Sequence, residues 1–404
     1  MLLGVPKETF PGERRVALVP GELPRLARQG IEVAIEAGAG QAAGFADRAY
    51  EDRGARVIAE REALFAEADG IIAVRAAAAN PEAGAADLER LREGQLLVGF
   101  LEPLGNEQAM ERLAARGVTA FAMELIPRIT RAQGMDALSS MATVSGYRAA
   151  LLAAAQLPRF FPMLMTAAGT VPAARVLVIG AGVAGLQAIA TARRLGAVVE
   201  AYDVRPEVKE EVQSVGARFL ELPLAAAGDE QGYAREQSEE FLRQQRELLQ
   251  RAVAEADVVI TTAAVPGKRA PRILTAAMVE GMKRGAVIVD LAAERGGNCE
   301  LTVAGETAEH HGVTILGPLN LPASMPVDAS RMYARNVANL LLHLIRDGAL
   351  VLEPGDPIVA DAMVAHQGRI TSRRLGGEPP GAEAAPAPAA PGEASAAAGA
   401  SSGG

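Results

Sequence analysis

Residues 176–203, VLVIGAGVAGLQAIATARRLGAVVEAYD, carry the pattern that decides the fold. A short aliphatic run ends in a glycine-rich turn, and an alanine-rich helical stretch and a second apolar run follow it. Gly180, Gly182 and Gly185 form a G-x-G-x-x-G pattern at the strand-to-helix turn. A strand, such a turn, a helix and a second strand predict a βαβ unit that binds a dinucleotide.

Each glycine of this turn, and the acid after the second strand, has a predicted task. Gly180 permits the tight turn, Gly182 lets backbone amides approach a pyrophosphate, and Gly185 lets the helix pack against the strand. The helix N-terminus adds partial positive charge for the phosphates. Asp203, 18 positions after Gly185, is expected to accept both ribose hydroxyls and to repel a 2′-phosphate. The motif therefore favours NAD(H) over NADP(H), although the nearby Arg205 would suit such a phosphate.

Short apolar runs alternate with helical patterns along most of the chain, which predicts an α/β fold of two Rossmann-like domains with parallel sheets. We expect residues 1–133 and 329–375 to form a discontinuous first α/β domain. Residues 134–328 are expected to form the Rossmann domain, with NAD(H) in the cleft between the two. Residues 376–404 are rich in alanine, proline, glycine and serine, have no large apolar side chain, and predict a flexible tail.

Three local features are predicted beside the glycine turn. An alanine-rich helix is expected to run to about Gln156. Residues 164–176 alternate around a Gly-Thr turn, which indicates a hairpin that packs on its own domain or reaches a second subunit. Residues 328–348 predict a long helix with Asp328 as its N-cap.

Composition and charge exclude several classes of function. The net charge of −9, with acidic and basic residues interspersed, argues against a nucleic-acid partner. Four histidines, two of them the adjacent His310 and His311, offer no zinc-site spacing, so no metal is expected. The single cysteine, Cys299, fits a reducing compartment. No apolar run reaches the roughly 18–20 residues that span a bilayer, so we expect a cytoplasmic chain without direct membrane insertion.

The stretch RITRAQGMDALSSMATVSGYR, residues 128–148, is unusually polar for a connection between two α/β segments. Arginines, a glutamine, an aspartate and two serines precede a helical pattern. One interpretation is a solvated turn in which Ser139 or Ser140 caps the following helix. The other is a functional role for these polar side chains, which the stretch alone does not specify.

Four stretches together resemble one family: PRITRAQGMDALSS, GAGVAGLQAIATARRLGAVVEAYDVRP, DVVITTAAVPG and VIVDLAAERGGNCE. The chain resembles the NAD(H)-binding component, or alpha subunit, of proton-translocating NAD(P) transhydrogenase, which is homologous to alanine dehydrogenase. The resemblance runs from residue 1 to about residue 368. The tail resembles the tether that leads to a membrane domain in fused versions, so the chain looks like the separately encoded form.

The resemblance implies where the reactive site lies. Arg128, Gln133, Asp136 and Ser139 match the positions that hold the dihydronicotinamide ring, and Asp136 is expected to pair with Arg128. A long polar insertion matches a mobile loop that closes over the nucleotide through Tyr233. The full set of cofactor-binding positions implied is Arg128, Ile129, Thr130, Gln133, Gly180, Gly182, Val183, Ala184, Gly185, Asp203, Val204, Arg205, Gly232, Tyr233, Gln245 and Ala264.

The resemblance also implies an alternative, an amino-acid dehydrogenase of the alanine dehydrogenase type. Arg15 matches the substrate-binding arginine of that family, but Arg75, Glu102 and Glu294 replace its lysine, histidine and aspartate. An arginine does not act as a general base near neutral pH. A non-catalytic NAD(H)-sensing module is the remaining alternative.

Transhydrogenation needs no such acid–base group, because the second reactant is another nicotinamide cofactor. The resemblance implies the reaction NADH + NADP⁺ ⇌ NAD⁺ + NADPH, with NADP(H) held by a partner subunit. It also implies coupling to proton translocation through a membrane-spanning subunit, a homodimer, and a place on the cytoplasmic face of the inner membrane.

Overall fold

The computed structural model describes residues 1–221, 239–265, 267–353 and 355–378, with the side chains of residues 239–241 left out. The strands are β1 Leu2–Val5, β2 Glu32–Glu36, β3 Arg56–Ile58, β4 Gly70–Arg75, β5 Leu96–Phe100, β6 Thr119–Ala122, β7 Leu164–Thr166, β8 Gly169–Val171, β9 Arg175–Ile179, β10 Val198–Tyr202, β11 Arg218–Phe219, β12 Val258–Thr261, β13 Val287–Asp290, β14 Thr307–His310, β15 Val313–Leu316, β16 Ile345–Arg346, β17 Ala349–Leu350, β18 Met363–His366 and β19 Arg369–Ile370. The helices are α1 Leu23–Ala27, α2 Asp47–Glu51, α3 Arg61–Glu67, α4 Gly84–Arg90, α5 Glu107–Ala115, α6 Ala137–Gln156, α7 Val183–Arg194, α8 Lys209–Ser214, α9 Glu239–Glu255, α10 Ala276–Glu280, α11 Pro326–Leu344 and α12 Pro357–Ala362.

Within these residues the first sheet has the strand order β19-β18-β6-β5-β4-β1-β2-β3. The strands from β6 to β3 pair in parallel, while β18 is antiparallel to β6 and β19 is antiparallel to β18. Successive residues of the central strands, such as Ile71 and Ile72, pack into two different buried clusters, so both faces of the sheet are covered. The two C-terminal strands thus complete the sheet that the N-terminal third of the chain begins.

The second sheet, among the described residues, has the order β11-β10-β9-β12-β13-β15-β14. It is parallel except for β14, which runs antiparallel to β15. The βαβ unit predicted from the opening stretch is β9, α7 and β10. The α/β fold with two Rossmann-like halves is therefore confirmed, with the difference that each sheet is mixed at an edge.

Helix α6 joins the two halves. Ala137, Met141 and Val144 pack in the core around the first sheet, whereas Ala149 and Ala153, further along the helix, pack in the core around the second. Near its middle α6 carries Gly146, where an added Cβ would lie only 2.0 Å from the carbonyl oxygen of Ala184. A side chain here would therefore push α6 away from α7.

Helix α11 returns the chain to the first core, where Tyr333, Val337 and Leu341 are buried. It begins at Pro326, so the prediction of Asp328 as N-cap was wrong. Proline fits the first helical position because its φ is preset and its missing N–H needs no partner there. Asp328 lies inside the first turn instead.

The other local predictions are settled separately. The hairpin is confirmed as β7 and β8, and the alanine-rich helix as α6, which ends at Gln156. Gly232, Tyr233 and the predicted tail from residue 379 lie outside the described residues. The division into residues 1–133 plus 329–375, and 134–328, stays a prediction.

Candidate nucleotide-binding cleft

The glycine turn (residues 180–185) has the backbone geometry that its sequence predicts. Gly180 has φ +97°, and an added Cβ would meet the Oγ1 of Thr262 at 2.5 Å. A Cβ at Gly185 would lie 1.9 Å from the carbonyl oxygen of Gly180. By contrast, nothing lies within 4 Å of a Cβ placed on Gly182, the residue that caps α7. Two glycines thus allow close packing, and the third borders open space at a helix N-terminus.

Asp203 follows β10 directly and faces the glycine turn. Its Oδ2 accepts a hydrogen bond of 2.7 Å from the backbone N–H of Ala181. Arg205 donates from its backbone N–H and its Nε to Oδ1, at 2.9 and 3.0 Å, and from a terminal nitrogen to Oδ2, at 3.1 Å. These four donors match the number of lone-pair sites on a carboxylate. The Asp203 carboxylate is therefore already bonded to Ala181 and Arg205, contacts that the sequence did not reveal.

A cleft of about 480 Å³ lies between the carboxyl ends of strands from both sheets. This is where ligands bind open parallel sheets. The predicted site residues that line it are Arg128, Ser139, Gly182, Val183, Ala184 and Ala264. The glycine turn and the polar segment (residues 128–139) therefore face one space, although they are about 50 residues apart in sequence.

Within the polar segment, residues 130–135 form a short 3-10 helix and Asp136 begins α6. Asp136 Oδ1 accepts from the backbone N–H of Ser139 at 2.8 Å, and its Oδ2 accepts from the Ser139 hydroxyl at 2.6 Å. The interpretation of Ser139 or Ser140 as the cap was wrong, because the aspartate occupies the N-cap and the serine is its donor. The pairing of Asp136 with Arg128 stays a prediction.

The remaining predicted residues have varied positions. Gln133 is exposed in the 3-10 helix, as is Thr130, while Ile129 packs against the first core. Val204 packs beside the core of the second sheet, and Gln245 is half-buried on α9.

The four positions compared with alanine dehydrogenase, Arg15, Arg75, Glu102 and Glu294, all line the same cleft. The Arg75 guanidinium lies 3.4 Å from Glu102 and 3.7 Å from Glu294, and stacks over the Phe10 ring at 4.1 Å. Its Nε also lies 3.9 Å from Glu13, so Arg75 is a structural cation held by three carboxylates and an aromatic face. The changed residues thus pair with one another across the cleft.

Arg15 is fixed by a buried network that sequence reasoning missed. Its guanidinium donates two hydrogen bonds to Glu13, at 2.8 and 2.6 Å, and one to the side chain of Asn320 at 3.0 Å. Burial opposes the charge of Glu13, but the hydrogen bonds and charge of Arg15 outweigh it and lower the pKa of Glu13. Glu294 accepts from the backbone N–H of Asn320, so the network reaches the second sheet.

Glu124, just after β6, was also missed and lines the cleft. It accepts from the backbone N–H groups of Leu101 and Glu102, at 2.9 and 2.6 Å. Burial, helped by the charge of Glu102, raises its pKa to about 7. Its signal was a single carboxylate inside the apolar run AFAMELIP.

No described helix is long and apolar enough to cross a bilayer. No group of three or more His, Cys, Asp or Glu side chains in the described part of the chain is arranged to hold a metal ion.

Comparisons with known proteins agree with this two-part architecture. The family described as "Alanine dehydrogenase/PNT, N-terminal domain" matches residues 4–145, and its C-terminal counterpart matches residues 149–373. The NAD(P) transhydrogenase subunit alpha of Cereibacter sphaeroides is 46% identical over 92% of this chain and 71% of that protein. An alanine dehydrogenase of Mycobacterium tuberculosis is 30% identical, over 93% of this chain and 96% of that one. A solved transhydrogenase from Sinorhizobium meliloti is 44% identical with a TM-score of 0.81, covering 92% of this chain and all of that one.

The two α/β halves and the glycine turn define a nucleotide-binding oxidoreductase. The chain belongs to the alanine dehydrogenase/PNT family, in which it shares more identity with the transhydrogenase alpha subunit than with the alanine dehydrogenase compared here.

Proposed function

We propose that this chain is the NAD(H)-binding subunit of a transhydrogenase, which exchanges hydride with NADP(H) held by a partner subunit. The observation that carries the proposal is the single cleft shared by the glycine turn and the polar segment. The first suits a pyrophosphate and the second a carboxamide, so the cleft offers complementary groups for the middle and for the nicotinamide end of a dinucleotide.

The residues fit NAD(H) in chemistry as well as in position. The open space beside Gly182, at the N-terminus of α7, suits the pyrophosphate. Asp203 would hold the adenosine ribose once Arg205 has moved aside, and it disfavours a 2′-phosphate. Arg128, Gln133 and Ser139 would hold the nicotinamide end, where their donors and acceptors match a carboxamide.

The reaction is NADH + NADP⁺ ⇌ NAD⁺ + NADPH, in which one hydride leaves the first ring and joins the second. The cofactor supplies the hydride. The chain's own residues position and shield it, since hydride transfer depends on a near-attack geometry rather than on a general base. Asp136 contributes by orienting Ser139 through two hydrogen bonds.

The paired charges of the cleft support this reading over an amino-acid dehydrogenase. Arg15 matches the substrate-binding arginine of alanine dehydrogenase, but its guanidinium already donates hydrogen bonds to Glu13 and Asn320. Arg75, at the position of the lysine, pairs with Glu294 at the position of the aspartate, and an arginine does not act as a general base.

The assembly follows from the same proposal. An NADP(H)-binding subunit must present its nicotinamide to this cleft, and a membrane-spanning subunit would carry the protons. We further propose a homodimer at the cytoplasmic face of the inner membrane. The functional division into residues 1–133 with 329–375, and 134–328, is supported by β18 and β19, which pair in the first sheet.

Reconstitution tests the function directly. Purified chain is mixed with an NADP(H)-binding transhydrogenase subunit, and NADH-dependent reduction of an NADP⁺ analogue is followed by absorbance. Transfer that needs both proteins is expected, and the chain alone should not oxidise NADH with pyruvate. Pyruvate-dependent NADH oxidation would instead assign an alanine dehydrogenase, and NADH binding without transfer to an active partner would assign a sensing module.

A further inference from the structure

We propose that one face of α11, together with the N-cap of α12, holds the polar segment in place and so positions it for hydride transfer. The proposed positioning residues are Asn336, Asn339, His343 and Asp356. This inference rests on the proposed function. It adds residues that lie behind the polar segment.

The first contact is a double hydrogen bond to one backbone carbonyl. Asn336 and Asn339 donate from their Nδ2 atoms to the carbonyl oxygen of Gly134, at 2.9 and 2.7 Å. The two asparagines are three residues apart on α11 and therefore share a face. Arg25 donates to the Asn339 Oδ1 at 3.0 Å, which fixes the direction of that amide.

The second contact is an ionic link through Asp356. Asp356 caps α12 by accepting from the backbone N–H of Ile358 at 2.9 Å, and its side chain is 4% exposed. One carboxylate oxygen accepts from Arg131 of the polar segment at 2.7 Å, and the other bonds the His343 Nε2 at 2.5 Å. His343 lies seven residues after Asn336, on the same face of α11.

The space between the segment and α11 is already filled. A Cβ on Gly134 would lie 2.8 Å from the Nδ2 of Asn339, so glycine permits this approach. Backbone bonds from Ala132 N–H to Ile129 and from Asp136 N–H to Gln133 lie at the two ends of the 3-10 helix. The side-chain contacts from α11 and Asp356 connect this short helix to distant parts of the chain and so fix its place.

The consequence for chemistry is indirect. The four anchors hold Arg131 and Gly134, which lie between the cleft-lining Arg128 and Ser139. Removal of the anchors shifts or loosens the segment, and a misplacement of about 1 Å is enough to cost on the order of 100-fold in rate. Affinity for NADH, which rests largely on the glycine turn, is expected to change little.

The test uses the full chain with its partner subunit and compares Asn336→Ala/Asn339→Ala, His343→Ala and His343→Gln. Arg331→Ala is the matched control, because Arg331 is exposed on the same helix and pairs with Asp328. Hydride transfer should slow by about 10-fold to 100-fold in the double variant, while NADH affinity by fluorescence changes less than about threefold. His343→Gln keeps a side-chain donor and should recover most of the rate that His343→Ala loses.

A second readout does not depend on activity. Hydrogen exchange of the backbone amides in residues 128–136 should be faster in the double variant than in wild type or Arg331→Ala. Arg131→Ala is a second variant for the case in which the double variant does not fold. The Arg131 side chain is 53% exposed, and its removal breaks its ion pair with Asp356 without opening the core. It should also slow transfer.

The outcomes separate the two proposals. Variants that transfer hydride and exchange amides like Arg331→Ala overturn the positioning role. A wild-type chain that binds NADH but transfers nothing overturns the proposed function, and the exchange rates then decide the positioning contact alone.

Discussion

The two walls of the cleft are built in different ways. The glycine turn is made of backbone: Gly180 and Gly185 are required because neighbouring main-chain or side-chain atoms leave no room for a Cβ. The polar segment is made of side chains, and its place depends on Asn336 and Asp356, more than 200 residues away in the chain. The glycine turn is therefore expected to be disrupted by an added side-chain atom, whereas the polar segment is expected to be disrupted when a side chain that holds it is removed.

The largest expected effect is a disruption of the backbone wall by a single methyl group. Gly185→Ala places a Cβ 1.9 Å from the Gly180 carbonyl, so α7 must move off its sheet. We expect a loss of about 4 kcal/mol in the free energy of unfolding, measured by urea denaturation, and loss of NADH binding.

Gly182→Ala is the matched variant, because its Cβ meets open space. It should unfold like wild type yet bind NADH more weakly, since the methyl group enters the space proposed for the pyrophosphate. Equal stability in the two variants would contradict the distinction between the glycines.

Asp290→Asn tests whether side-chain hydrogen bonds also hold the loop after β13, and not only the polar segment. Asp290 is fully buried at the end of β13 and accepts from Thr261, Thr302, and the backbone of Asn298 and Cys299, among others. An amide nitrogen would face donors, so we expect a loss of about 3 kcal/mol in unfolding free energy. Thermal denaturation checks this.

The control is Thr302→Val, which removes one donor and leaves the carboxylate with its other partners. It should cost about 1 kcal/mol. If Asp290→Asn lowers the unfolding free energy by no more than Thr302→Val does, the loop that carries Glu294 is held by backbone contacts and not by the Asp290 side chain.

The polar segment should respond in rate more than in stability. Arg128→Ala and Asp136→Asn are expected to slow hydride transfer by about 10-fold to 100-fold, because both disturb the geometry of the nicotinamide end. Asp136→Asn keeps an acceptor for the N-cap, so its loss of stability should stay below about 1 kcal/mol. Steady-state transfer rates and NADH titrations separate the effects, and wild-type rates in both variants would reduce the segment to a linker.

The same contrast explains what the sequence could predict. The β9–α7–β10 unit was predictable because its turn, helix and strand are contiguous and each glycine answers a local steric need. The role of the polar segment was predicted only through family resemblance. The residues that hold it, Asn336 and Asp356, lie far away in the chain, and no nearby sequence pattern indicates their contacts with it. Asp203 was placed correctly, but its occupation by Arg205 depends on side-chain geometry that spacing does not show.

Errors in the prediction also have physical causes. Asp328 resembled an N-cap, but the helix begins at Pro326, whose preset φ is the stronger start signal. Residues 329–375 were assigned to the first domain, but the antiparallel direction of β18 and β19 was missed, because both strands are short and have no clear sequence pattern. Glu124 was passed over because the importance of a carboxyl group in an apolar run depends on its burial.

Glu124, which lines the same cleft, is expected to make the stability of the chain depend on pH. Its pKa rises from the ordinary 4.5 to about 7, chiefly through burial. Between these two pH values the folded chain holds a proton that the unfolded chain has released. Its contribution to stability is therefore complete below about pH 4.5 and is lost as pH rises through about 7. Glu124→Gln, neutral at every pH and still an acceptor for Leu101 and Glu102, should flatten this decline by up to about 1.4 kcal/mol per pH unit.

The matched variant is Glu8→Gln. Burial, with the charge of Glu13, raises the pKa of Glu8 to about 8, and Glu8 accepts from the backbone N–H groups of Val74 and Arg75. The decline in stability that Glu8 causes should extend about one pH unit further than the decline caused by Glu124, because the folded-state pKa of Glu8 is higher. The difference in unfolding free energy between variant and wild type, measured from pH 5 to pH 8, should thus depend on pH only below about pH 7 for Glu124→Gln, and up to about pH 8 for Glu8→Gln. A Glu124→Gln curve parallel to wild type would mean that this carboxylate stays ionised, and the cleft would then carry one more negative charge.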